Sequence, residues 1–318
     1  MRRRLLLLSA AGLGCLPSAR AQTRPSPRRI GLLAIDARSG LALKSALAEL
    51  GLLDGRDIVI ERREGVGRTE ALPALAAELV ALKPAVIVTY GPQATQAALA
   101  ADPTVQVVAL VGGAIEYGLA QQLARPGGRL TGVSFLGLPL NAKRLELLAE
   151  LLPKGSLVMN LGDPGGRTPA SLESLAAAAN RQRLATHDVY AGTPQEIEAA
   201  FVKAAGLRVR GINVLGSPFL NAHRARIIEL AAKNRLPAIY QWPHVAREGG
   251  LMAYGPSLAG MDQLLSGMVV RVLNGTRAGD LPIEQPTRFE LVINLATARA
   301  LGLSIPQTLL LRADEVIE

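Results

Sequence analysis

Short runs rich in Val, Ile and Leu alternate along the chain with longer stretches whose apolar residues recur at helical spacing. In the first half this pattern predicts strands at Ile30–Ala34, Ile58–Glu61, Val86–Tyr90, Gln106–Val111 and Leu130–Phe135. Between them it predicts helices near Leu41–Leu50, Thr69–Leu82, Gln93–Ala101 and Ile115–Ala124, several opened or closed by Gly or Pro. Apolar strands alternating with helices form parallel sheets covered on both faces. One doubly wound unit is complete by Phe135.

The pattern then restarts. A helix near Asn141–Leu152 leads to strands at Leu157–Leu161, Asp188–Ala191, Gly211–Gly216, Ala238–Gln241 and Leu251–Tyr254. Helices are expected near Ala170–Ala185, Pro194–Ala205 and Phe219–Asn234. The tail reads as a helix at Leu258–Leu273, a strand at Phe289–Asn294 and a helix at Leu295–Leu301, with no room for a third unit. The fold class expected is therefore α/β, with two doubly wound parallel-sheet lobes joined by a hinge of several crossings. One lobe would hold residues 28–135 and about 255–285, the other residues 136–254 and about 286–318. Loops at the carboxyl ends of parallel strands form ligand crevices, and two facing crevices make a cleft that a hinge can close.

The start of the chain changes the expected compartment. Arg2, Arg3 and Arg4 precede an apolar stretch from Leu5 to Leu16, and Ala19-Arg20-Ala21 offers a small-x-small cleavage site. This reads as a signal peptide cut after Ala21, in a stretch too short to span a bilayer. Such Arg-rich starts suit either the general or the twin-arginine export route. Cys15 is a possible lipid acceptor, although Gly12-Leu13-Gly14 makes a poor lipobox. With the signal removed no cysteine is left, which excludes disulfides, a thiol nucleophile and a thiolate zinc site.

At 318 residues and 49% hydrophobic content the chain can bury a large core, and 3% aromatics means aliphatic packing. The formal charge of +9 includes Arg2, Arg3, Arg4 and Arg20, whose removal leaves +5. The remaining Arg and Lys are scattered along helix faces without a basic run interleaved with aromatics, so no nucleic acid is expected as partner.

Several segments go beyond generic α/β patterning. They are Leu50-Gly51 with GRDIVIE from Gly55, LPALAAELVALKPAVIV from Leu72, LARPGGRLTGVSF from Leu123 and KRLELLAELLP from Lys143. HRARIIELAAKNRLPAIY from His223, GGLMAYGPS from Gly249 and DLPIEQPTRFELVINLATARALGLSIP from Asp280 complete the set. Taken singly, ARPGGRLTG is a turn leading into a strand and GGLMAYGP a strand bounded by glycines. In this order, and from about Arg28 to the C-terminus, the chain resembles the ABC transporter substrate-binding family that includes tryptophan and tyrosine uptake receptors. That resemblance implies a type I periplasmic-binding fold, no catalytic activity and no cofactor. It also implies a small-molecule solute as ligand and an ABC permease in the inner membrane as partner; the signal peptide places the expected protein in the periplasm, and a monomer is expected. The family-based solute is an aromatic or branched amino acid.

Candidate cleft residues follow from the crevice rule. Tyr90, Gly91, Pro92 and Gln93 form a strand end, a glycine for close approach and a helix start, where free amides and the helix dipole favour an anionic group. They match the family's Gly-Thr-Pro-like loop, with Pro92 where a Thr is frequent; the plain alternative is a strand-to-helix turn. Asp36 and Ser39, with Arg38 between them, follow the first strand. Asp36 can accept a ligand ammonium or cap a turn. Gly113 stands in a loop where relatives often carry an acidic residue and a proline, so a charge is missing there. In the second lobe Asp163 and Ser217 offer an acceptor and a hydroxyl, and Phe219 a stacking face; each also suits an ordinary helix start or core position. Tyr240, Trp242 and Tyr254 are aromatic candidates near strand ends or the hinge.

Two other functions compete. An exported α/β enzyme would need a chemical constellation, but there is no G-x-S-x-G elbow or Walker loop, and Gly65-Val66-Gly67 meets Glu70 where a dinucleotide fingerprint needs its third glycine. His187, His223 and His244 lack metal-like spacing and read as turn, surface or solvated helix positions. A receptor feeding a signalling protein would have the same cleft as one feeding a permease.

Overall fold

The structure is a computed structural model, and it describes residues 26–318. The signal-peptide and Cys15 readings fall outside the described residues. In chain order the first strands are β1 (Arg28–Ala34), β2 (Ile58–Glu64), β3 (Val86–Tyr90), β4 (Val107–Val111) and β5 (Leu130–Ser134). Next come β6 (Leu157–Gly162), β7 (Ala185–Tyr190), β8 (Gly211–Val214), β9 (Ala238–Tyr240) and β10 (Met252–Gly255). The last are β11 (Ile283–Glu284), β12 (Glu290–Asn294) and β13 (Glu315–Ile317).

Among the described residues these strands form two sheets, ordered β11-β5-β4-β3-β1-β2 and β13-β12-β10-β9-β8-β6-β7. All pairings are parallel except β10 with β12. The sequence shows why each strand sits where it does. β3 (VIVTY) and β4 (VVALV) are buried along their whole length and lie inside the first sheet. β2 (IVIERRE) carries charges along a half-buried edge, which discourages pairing with another chain. In the register, Ile30 of β1 faces Ile60 on one side and Val86 on the other, which keeps apolar residues stacked across the sheet.

The chain passes between the sheets repeatedly. After β5 it enters the helix Gly137–Ala149, which packs on β8, β9 and β10 of the second sheet. After β10 it returns through the helix Leu258–Leu273, which packs on the helix Leu43–Glu49 and on β3, β4 and β5. From β11 it crosses once more to β12.

Two helical expectations fail. Ile115–Ala124 is a series of turns, because Gly113 (φ +135°) and Gly118 (φ +66°) take positive φ on either side of a single turn closed by Gly118 N–H to Ile115 C=O. Phe219–Asn234 splits into Pro218–Ala222 and Arg224–Lys233 around His223, whose backbone (φ −99°, ψ 13°) leaves the helical region. The histidine readings also change. His223 rests against Phe219, with ring centroids 4.7 Å apart, and His187 and His244 are half-buried, each with an Nε2 that has no partner. No helix among the described residues is long and apolar enough to cross a membrane.

Candidate ligand-binding cleft

The carboxyl ends of both sheets face one cavity. From the first sheet it is lined by Ser39 after β1; by Tyr90, Gly91, Pro92 and Gln93 at the β3 turn; and by Glu116, Tyr117 and Phe135 after β4 and β5. The second sheet contributes Asp163 and Thr168 after β6, Ser217 and Asn221 after β8, and Gln241 and Trp242 after β9. The helix that starts between the sheets adds Asn141 and Arg144.

Close approach of the two sides is built into the backbone. Gly91 begins the helix Pro92–Ala101 at φ +96°, and a Cβ there would lie 2.6 Å from Pro218 Cγ of the facing side. Phe135 and Trp242 meet edge to face across the crossing point, centroids 5.4 Å apart at 70°.

Of the residues expected in the cleft, the structure brings Ser39, Tyr90, Gly91, Pro92, Gln93, Asp163, Ser217 and Trp242 to the cavity wall. The other five lie elsewhere. Asp36 is 3% exposed, and its oxygens are already used: Oδ1 accepts from Arg38 N–H at 3.0 Å, Oδ2 accepts from Asn221 Nδ2, and Arg224 Nη1 stands 3.8 Å away. Gly113 is required by its positive φ, and a Cβ would come within 2.7 Å of Glu116 Oε2. Phe219 and Tyr240 are core residues, and Tyr254 packs half-buried on Phe289 at 6.3 Å. Burial pushes the Tyr240 phenol well above its usual range.

Sequence reasoning missed Phe135, Tyr117, Asn141 and Arg144. A signal existed for the last two: Asn141 and Arg144 share the stripe of Leu140, Leu145 and Leu148, so polar groups stand on a buried helix face.

The polar groups at the wall are unevenly satisfied. Asp163 accepts from Gly166 N–H at 3.1 Å and from the Ser217 hydroxyl, while burial, the largest influence, pushes its carboxyl up. Gln93 Oε1, Asn221 Oδ1 and Arg144 Nε are buried with no partner. Unsatisfied buried polar atoms are rare in folded proteins, and here three line one cavity. They are suited to a ligand that both donates and accepts hydrogen bonds. Among the described residues no group of three or more His, Cys, Asp or Glu can hold a metal.

Around the cavity, contacts span the two sides. Asn221 donates to Asp36, Arg224 Nη1 lies 3.8 Å from the same Asp36, and Arg38 reaches Glu248 of the second lobe at 3.1 Å. Replacing Asp36 with alanine leaves Asn221 and Arg224 without that partner only when the two sides are together. The expected result is roughly tenfold weaker ligand binding, the equivalent of about 1.4 kcal/mol, and a larger radius of gyration in ligand-free solution scattering. Unchanged scattering and affinity would remove the network from any role in closure.

Two mostly parallel α/β lobes facing each other across a cavity built from carboxyl-end loops define a binding protein of the periplasmic-receptor class. The chain matches the family described as ABC transporter substrate binding protein over residues 34–317, and it belongs to that family. A curated relative, the tyrosine-binding protein of Clostridioides difficile (strain R20291), is 25% identical over 266 residues, covering 81% of this chain and 74% of the relative. A Streptococcus pneumonia ABC domain solved in complex with L-Trp superposes with TM-score 0.82 at 22% identity, over 92% of this chain and 100% of that one. The ligand-free, open structure of a substrate binding protein with adhesive properties from Clostridium difficile gives 0.62 at 19% identity, over 91% and 99%. These structures share the fold.

Proposed function

We propose that this protein is the extracytoplasmic solute receptor of an ABC importer, capturing an amino acid with an aromatic or branched side chain and presenting it to an inner-membrane permease. The observation that carries the reading is the composition of the cavity wall: an apolar surface of Phe135, Trp242, Leu110, Leu215 and Leu258 beside buried donors and acceptors that lack partners. The apolar surface suits a side chain, and the polar atoms suit the charged ends of a zwitterion. Ser39, Tyr90, Gly91, Pro92, Gln93, Asp163, Ser217 and Trp242 are the proposed ligand contacts, with Asp163 receiving the ammonium. The tyrosine-binding relative and the L-Trp complex support the same ligand class. Export and cleavage after Ala21 complete the proposal.

Thermal unfolding of the mature chain against L-tyrosine, L-tryptophan, L-leucine, aromatic acids and sugars tests it. A ligand that binds only the native state adds about 2.7 kcal/mol of apparent stability at a hundred times its Kd. At least one amino acid is expected to raise Tm. A shift with sugars alone would end the amino-acid reading.

A further inference from the structure

We propose that Arg144 is the carboxylate-recognising residue of this cleft, so that the ligands it selects are carboxylate-bearing solutes. The inference rests on the cavity being the solute site and adds the group that defines the substrate class. Arg144 belongs to the helix Gly137–Ala149, which starts where the chain first leaves the first sheet. Its side chain is 1% exposed yet lines the cavity. Two bonds fix the guanidinium plane: Nη1 donates to Tyr254 C=O at 3.1 Å, and Nη2 donates to Asn141 Oδ1. Asn141 Oδ1 is itself held by Gly216 N–H at 3.1 Å. The fork is thus anchored to β10, to its own helix and to the loop after β8.

What the fork lacks is an anion. Nε has no partner, and the charges around Arg144 include no Asp or Glu among the described residues. Several other arginines are paired with carboxylates: Arg62 with Glu64, Arg247 with Glu290 and Glu315, Arg312 with Glu150. Those pairs are partly exposed and individually weak. A cation buried without a counter-ion is strongly unfavourable, and a carboxylate entering the cavity relieves that while accepting charge-assisted bonds. Burial pulls the Arg144 guanidinium down to about 9, which leaves it protonated at neutral pH. Gln93 Oε1, an acceptor without a donor, lines the same cavity, so the ligand that satisfies both atoms carries an N–H as well.

Calorimetric titration of the mature protein with L-tryptophan and with L-tryptophanamide, which differ at the carboxylate, tests the assignment. The wild type is expected to prefer the acid by at least about 30-fold, the range of a hydrogen bond to a charged group. In Arg144→Gln that preference is expected to fall close to one, and in Arg144→Lys, which keeps the charge without the fork, to an intermediate value. If the wild type binds acid and amide equally, or Arg144→Gln keeps the wild-type preference, the proposal is overturned. Should Arg144→Gln fail to fold by circular dichroism, the wild-type ratio and Arg144→Lys decide. If neither tryptophan compound binds, 4-hydroxyphenylacetate, benzoate and 2-oxoisocaproate are titrated next. Binding of one of these, weakened by substitution of Arg144, supports the carboxylate assignment, and the amino-acid reading ends if L-tyrosine and L-leucine also fail to bind. A folded wild type that binds none of the carboxylates overturns the assignment.

Discussion

Replacing Trp242 with alanine is expected to weaken ligand binding by at least about 100-fold and to lower stability by about 3–5 kcal/mol. Trp242 follows β9 and begins the helix Pro243–Arg247. It is 8% exposed, part of the core on one face and of the cavity wall on the other. Its edge-to-face partner Phe135 sits at the end of β5, where the chain first crosses between sheets. The ring pair therefore shapes the apolar wall and couples the two lobes at one place. Truncation removes the largest apolar side chain of the cavity wall and leaves Phe135 facing a void. Urea unfolding measures the stability loss, and calorimetric titration with the solute found by thermal shift measures the binding loss. A Trp242→Phe variant should recover most of the stability but less of the affinity, because a smaller ring refills the contact with Phe135 and leaves the cavity wider. Binding within threefold of wild type in the alanine variant would place the solute elsewhere. Since Trp242 is the chain's only tryptophan, the wild-type protein reports occupancy of the cavity through its own fluorescence.

The sheets were legible because buried parallel strands leave near-continuous apolar runs: Val86–Tyr90, broken only by Thr89, and Leu157–Leu161, broken only by Asn160, read as strands from their residues alone. Elements whose stability comes from tertiary partners were not legible. β11 is two residues long and exists by pairing with Gly132 and Val133 of β5, and β13 leans on β12. The false helix at Ile115–Ala124 had the composition of one, but positive φ at Gly113 and Gly118 redirects it and brings Glu116 and Tyr117 to the cavity.

The same division holds in the cleft. The crevice rule led to residues that line the cavity at Tyr90–Gln93, Asp163 and Ser217, since it needs only strand ends. It could not show that Asp36 is consumed by Asn221, a residue 185 positions away, or that Phe219 turns into the core. Arg144 was hidden for the opposite reason. Placed in the middle of a helix, in a Lys-Arg pair, it reads as a solvated charge unless its place on the Leu140, Leu145 and Leu148 stripe is weighed, and the packed structure shows that both faces around it are covered.

A second large effect is expected from Tyr90→Phe: a loss of about 2–3 kcal/mol at pH 7 that shrinks to under about 1 kcal/mol near pH 4.5. The Tyr90 hydroxyl donates to Asp262 Oδ1 at 2.5 Å, joining β3 to the helix Leu258–Leu273 inside the first lobe. Asp262 is 2% exposed and also accepts backbone N–H groups of Ala42 and Leu43. Burial nevertheless dominates and pushes its carboxyl up to about 6. With the folded value above the unfolded one, the native state holds the proton more tightly between about pH 4 and pH 6. Through that window this group makes stability fall as pH rises, by about 3 kcal/mol in all. His244 acts in the opposite direction: burial pulls it down to about 4, so its contribution is lost as pH falls from about 6.5 towards 4. The wild-type profile is therefore flattened where the two overlap, and the informative quantity is the difference between variant and wild type at each pH, in which His244 cancels. Removing the phenol deprives the Asp262 carboxylate of a donor, which matters when the carboxyl is charged and little when it carries its own proton. Urea unfolding of both proteins from pH 4.5 to pH 7.5, without ligand, measures the difference. A loss of equal size at every pH would mean that Tyr90 contributes through packing alone, and that the Asp262 charge is held by the Ala42 and Leu43 amides without help from the phenol.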